Sequence, residues 1–205
     1  MKIAIIGAGH VGQALAEGWA KAGHEVIFGV RDPAKGGPGD APRKRVPEAA
    51  AGAEVVVLAT PWREAENAIR AAGGLAGKIV IDCTNPLGPT ESGLGLVVGF
   101  STSAGEAVAG WATGAAVFKT LNQCGFAVMR DARAFGPPKP VMFVAGNDEA
   151  KKPVVMSLVG DLGFEAADGG PLRNARLLEP LAMAWIDRSM SGRDRDFAFA
   201  LTRKK

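Results

Sequence analysis

Three glycines at fixed spacing, Gly7, Gly9 and Gly12, carry the clearest chemical signal in this 205-residue chain. They follow an apolar run, Lys2 to Ile6, and open a stretch in which Val11, Ala14, Leu15, Gly18 and Ala22 recur at helical spacing. In such a loop the first glycine permits a tight turn, the second lets a pyrophosphate approach the backbone, and the third lets helix lie close to strand. The free N–H groups and the positive dipole end of that helix then face the phosphates. The residues therefore predict a dinucleotide site at the junction of a first strand and a first helix.

A second apolar run, residues 25–30, ends on Val30 and is followed by Arg31. An acidic residue there would bind both ribose hydroxyls and repel a 2′-phosphate. Valine does neither, whereas Arg31 offers a planar fork suited to phosphate oxygens and Lys35 lies four residues on. The expectation is NADP(H) rather than NAD. The bland alternative is a solvated basic turn with Asp32 as local partner.

The elements that must position these residues alternate between strand and helix. Residues 33–42 read as a loop, 43–46 as a poor third strand, 54–59 as a buried strand ending in Thr60-Pro61-Trp62, and 63–72 as a helix. Residues 78–82 form the next strand, 87–103 a long irregular loop, 104–111 a helix and 116–121 a strand ending at Asn122. Beyond them come a strand at 141–145, a helix capped by Asp148 and running to about 162, a short strand at 164–167, and a helix at 172–188 kinked by Pro180. Residues 197–201 read as a terminal strand or extended arm. The fold class is α/β, a Rossmann doubly wound, mostly parallel sheet over residues 1–145, with a small C-terminal α/β extension over 146–205. Pro61, Trp62, Leu87 and Asn122 all follow strands at the carboxyl edge, so they converge on the nicotinamide half of the cofactor.

Composition narrows the function. With 47% apolar and 22% charged residues and a net charge of +3, the chain reads as a globular protein with a mild attraction for anions. Basic residues are dispersed and do not interleave with aromatics, so no nucleic-acid partner is expected. No membrane span or leader is expected, and location is read as cytoplasmic. Cys83 and Cys124 lack metal spacing and read as reduced, partly buried thiols; no metal is expected. Lys119 and Glu64 carry no signal above background.

The strings IAIIGAGHVGQALAEGWAKAGHEVIFGVRDPAK, ATPWREA, KIVIDCTNPL and AGNDEAKKPVVMSLVGDLGFEAADGGPLRNARLLEPL resemble NADP oxidoreductases dependent on the deazaflavin coenzyme F420. The likeness spans nearly the whole chain, and the cytosolic reductase domain of STEAP-type metalloreductases is also similar. The resemblance implies hydride transfer between NADPH and a flavin or deazaflavin, and a homodimer. It places phosphate-loop contacts on Ala8, Gly9, His10 and Val11, and 2′-phosphate contacts on Val30, Arg31 and Lys35. Further cofactor contacts fall on Trp62 and Leu87, and a contact to the tricyclic acceptor on Phe197. Family members often carry Ser where Val30 stands. At Asn122 deazaflavin-linked members often carry His and flavin-using relatives Asn.

Hydride transfer between stacked rings asks the protein to position and desolvate, and no catalytic residue is assigned. Alternatives are a non-catalytic NADPH-binding sensor and another small NADPH-dependent reductase. Packing roles also remain open for several residues: Trp62 against the neighbouring helix, Asn122 bonded to nearby backbone, His10 exposed in its loop, and Phe197 and Phe199 as core or dimer contacts.

Overall fold

Runs of branched and aliphatic side chains form the centre of the sheet, where strands are covered on both faces. The computed structural model describes every residue except Pro38, Arg193 and Lys205. In chain order β1 (Lys2–Ile6), α1 (His10–Lys21) and β2 (Glu25–Val30) lead to β3 (Arg43–Arg45), α2 (Val46–Ala51), β4 (Val55–Leu58), α3 (Ala65–Ala72) and β5 (Ile79–Asp82). Next come β6 (Leu87–Thr90), β7 (Gly93–Leu96), α4 (Ala104–Trp111), β8 (Ala116–Lys119) and α5 (Phe126–Arg130). The chain closes with β9 (Val141–Gly146), α6 (Lys152–Asp161), β10 (Glu165–Asp168) and α7 (Ala175–Met190).

The eight-stranded sheet has the order β10-β9-β8-β5-β4-β1-β2-β3. From β3 to β8 every neighbouring pair is parallel, which is the doubly wound arrangement expected. One face buries Ile3, Ile5, Leu15, Trp19 and Phe28 under α1, and the other buries Ala4, Ile6, Val56, Leu58 and Ile69. Trp19 also fixes α1 to α6, its indole N–H donating to the Leu158 carbonyl at 2.8 Å.

β9 runs antiparallel to β8, pairing only Phe118 with Gly146 and Lys119 with Ala145. Residues 141–144 therefore lie past the end of β8, on the ligand-binding side of the parallel sheet. β10 continues that overhang, parallel to β9. The boundary drawn after Ala145 falls one residue inside β9, so the extension shares the sheet.

Several local expectations are corrected. Residues 87–103 contain the antiparallel hairpin of β6 and β7, with Leu87 opposite Leu96 and Thr90 opposite Gly93. Its glycines and proline masked the alternation, yet Gly93 takes φ +106 at the turn, a conformation glycine adopts without strain. The short helices α2 and α5 were not foreseen. Asp148 accepts from Lys151 N–H at 3.0 Å, but α6 itself begins at Lys152. Residues 197–201 form no ladder; the arm makes one antiparallel bridge, Pro140 with Ala200, and Phe199 accepts from Val141 N–H at 2.8 Å.

α7 is fastened to α4 by the Arg176 guanidinium, which grips the Glu106 carboxylate at 2.8 and 2.6 Å. The Ser103 hydroxyl donates to the same carboxylate at 2.7 Å. Arg176 holds the Glu106 carboxyl below its usual range, with Ser103 assisting against partial burial. A depressed folded-state pKa means this stabilisation is present above the unfolded carboxyl value of about 4.3 and is lost as pH falls through the folded value. The stability difference between wild type and Glu106→Gln, measured by urea unfolding, is therefore expected to be largest near pH 7 and to shrink in acid. A difference that grows with acidification would contradict the assignment.

Candidate functional site

The glycine loop is built by three different steric demands. At Gly7, φ is +110 and a Cβ would sit 2.5 Å from the Ala59 carbonyl oxygen. At Gly12 a Cβ would overlap the Gly7 carbonyl oxygen and press on Ile5. At Gly9 a Cβ would meet nothing within 4 Å. Gly7 and Gly12 are thus required by the protein itself, while the open space at Gly9 is where a ligand can approach backbone. Gly9 caps α1 with no side-chain hydrogen bond, so the first N–H groups of that helix remain available to an anion. Gln13 stiffens the loop, its amide donating to the Ala8 carbonyl at 2.7 Å.

A cleft of about 820 Å³ runs from this loop across the ends of β1, β2 and β4. Gly7, Ala8, Gly9, Arg31, Lys35 and Pro61 line it, so one half of the expected cofactor site is assembled in one place. The Asp32 carboxylate accepts from Ala34 N–H at 3.1 Å and so caps the 3-10 turn of Pro33–Lys35. Arg31 and Lys35 are exposed at this end of the cleft. Open backbone, an uncapped helix start and a cationic end together fit a dinucleotide with an additional phosphate.

The remaining predicted residues stand outside the walls of that cleft. His10 is exposed and stacks on Phe126 of α5 with ring centres 4.7 Å apart. Val11 and Gly12 occupy the first turn of α1. Trp62 stacks on Trp111 of α4 at 5.4 Å, the packing role left open for it. Leu87 begins the hairpin. Asn122 is buried, its amide donating to Asn85 Oδ1 at 3.0 Å and to the Leu178 carbonyl at 3.3 Å, while its Oδ1 accepts from Gln123. It thus ties the loop after β5 to α7. Phe197 lies in the C-terminal arm, stacked on Trp185 at 5.1 Å and with Arg188 over its ring at 5.0 Å.

A buried charge cluster that sequence reasoning missed lies beneath this edge. Lys119, fully buried, lies 2.9 Å from Asp82 Oδ2 and 3.1 Å from Glu179 Oε1, and donates to the Thr84 carbonyl. Glu179 also accepts from Ala104 and Gly105 N–H, both at 3.0 Å, at the start of α4. Burial opposes the charge on Lys119, but the two carboxylates outweigh it and hold the ammonium above its usual value. The available signal was a charge ending each of two otherwise apolar strands, Asp82 after Ile-Val-Ile and Lys119 after Ala-Val-Phe. Burial pushes the Cys83 and Cys124 thiols well up, so neither is a thiolate.

Residues 2–86 match the family described as NADP oxidoreductase, coenzyme F420-dependent. A solved structure from Arthrobacter sp. FB24, assigned as an F420-dependent NADP reductase, is 34% identical, with a TM-score of 0.91 over 99% of this chain and 100% of that one. This chain belongs to the coenzyme F420-dependent NADP oxidoreductase family. A Sinorhizobium meliloti protein of the same fold, described as hypothetical, is 26% identical with a TM-score of 0.77, covering 100% of this chain and 96% of that one. A reductive aminase from Aspergillus terreus, solved with NADPH, shares the fold at 23% identity and a TM-score of 0.68, over 93% of this chain and 62% of that one. As a member of this family the protein is an NADP-dependent oxidoreductase. No described helix is long and apolar enough to cross a membrane.

Proposed function

We propose that the protein transfers hydride between NADP(H) and a flavin or deazaflavin acceptor of the coenzyme F420 type. The observation that carries this reading is the cleft: open backbone at Gly9, the uncapped start of α1, and Arg31 and Lys35 at its far end. The F420-linked description of the Arthrobacter relative supports the acceptor class. When bound, NADPH supplies the hydride. The chain's contribution is to hold the pyrophosphate on the N–H groups after Gly9, to hold the 2′-phosphate on Arg31 and Lys35, and to screen the distal half from water with the overhanging β9 and β10. The acceptor contact given to Phe197 would be made from within its packing against Trp185, Arg188 and Phe199.

Homodimerisation belongs to the same reading. Its support is the exposed apolar side chains of Val97 and Phe100 in the loop after β7 and of Leu177 and Met190 on α7. Two unpaired cysteines support a cytoplasmic location.

The test is NADPH oxidation, followed by absorbance, with coenzyme F420, FMN and FAD supplied in turn. Turnover with at least one ring is expected. Tight NADPH binding without turnover on any of them would overturn the reading in favour of a sensor. Arg31→Ala should weaken NADPH binding about tenfold to a hundredfold, the worth of a charge-assisted contact, and leave NADH unchanged.

A further inference from the structure

We propose that Arg43 is a third cation of the 2′-phosphate site and sets the preference for a phosphorylated adenosine ribose. The inference rests on the NADP reading above. β3 runs parallel to β2 with Arg43 directly opposite Phe28, so the two side chains share one face of the sheet. Arg43 Cζ lies 5.2 Å from the centre of the Phe28 ring. On the same guanidinium, a Cβ at Gly37 would come within 2.9 Å of Nη2 and 3.1 Å of Cζ and Nη1. Gly37 has φ +148, and its backbone closes on the guanidinium only because it has no side chain.

This packing decides what Arg43 can do. With the Phe28 ring centre 5.2 Å from Cζ and Gly37 passing so close that a Cβ there would collide with it, the guanidinium is held in place. Its in-plane N–H groups are the donors that match phosphate oxygens. Arg43 lines the same cleft as Arg31 and Lys35, approaching from β3 while they approach from the turn after β2. Val30, at the end of β2, contributes no donor. Arg31 and Lys35 are exposed, so each gives up rotamer freedom when it grips an anion. Arg43 is half-buried and already held, so it gives up less and fixes where the phosphate sits.

The test compares two ligands that differ only in the 2′-phosphate, 2′,5′-ADP and 5′-AMP, titrated calorimetrically into wild type, Arg43→Ala and Arg43→Lys. Wild type should prefer 2′,5′-ADP. Arg43→Ala should weaken 2′,5′-ADP about tenfold to a hundredfold and leave 5′-AMP within about twofold, which also reports that the cleft is folded. Arg43→Lys should recover part of the loss, keeping the charge without the fork. Equal weakening of both ligands would overturn the proposal by making Arg43 an adenosine or loop contact. No change in either, with wild type still discriminating, would overturn it as well. A wild type that binds both ligands equally would overturn the NADP reading itself, and this proposal with it.

Discussion

Replacing Lys119 with methionine is expected to lower the unfolding free energy by about 3–5 kcal/mol at neutral pH, the cost of leaving buried carboxylates without their counter-charge. Asp82 and Glu179 would remain, each nearly or fully excluded from water. Surface ion pairs give no such effect, because solvent replaces the lost partner. Urea unfolding at pH 7 reads the loss. A loss below about 1 kcal/mol at pH 7, within the range of a solvated pair, would show that the cluster is not the fastening inferred from its geometry.

Gly9→Ala and Gly12→Ala should separate binding from folding. A methyl group at Gly12 runs into the Gly7 carbonyl, backbone against backbone, and α1 must move away from β1 to relieve it. The expected cost is about 3 kcal/mol of stability, at the upper end for overpacking, together with loss of NADPH binding. A methyl at Gly9 touches nothing within 4 Å. The Gly9→Ala protein should melt close to wild type and still bind NADPH at least about tenfold more weakly, because the methyl stands where phosphate must approach. Thermal melting and NADPH titration on both variants are sufficient. Retained NADPH affinity in Gly9→Ala would place the pyrophosphate elsewhere.

The half of the site that could be read from sequence is the half written in local geometry. Gly7, Gly9 and Gly12 act within a few residues of one another, and Arg31 follows directly from the strand that presents it. The parallel core was equally legible, since runs such as Val55–Leu58 and residues 79–81 of β5 are apolar on both faces wherever they are placed. Direction was not. The run Val141–Gly146 reads the same whichever way it pairs, and only its register with Lys119 shows the reversal. Side-chain partners across long separations were out of reach too. Nothing near Asn122 indicates that Asn85 and Leu178 take up its amide, nor does Lys119 announce Glu179, 60 residues away in sequence. For Phe197 the resemblance implied an acceptor contact and packing was the alternative; its stacking on Trp185 and beneath Arg188 is visible only in the fold.

The overhang of β9 has a consequence for the timescales on which this protein moves. Along its edge facing β8 the strand has three successive neighbours: the terminal arm at Val141, the Gln123 side chain at Phe143, and β8 itself only at Ala145 and Gly146. Gln123 imitates a missing strand, accepting from Phe143 N–H at 2.9 Å and donating to its carbonyl at 3.0 Å. Strand edges held by a side chain and a chain terminus open at lower free energy than ladders inside a parallel core. Amide exchange through Val141 and Phe143 should accordingly outpace exchange through β1 and β4. The strand that overhangs the carboxyl edge of the sheet is then also the part that breathes, while the glycine loop stays anchored to the parallel core.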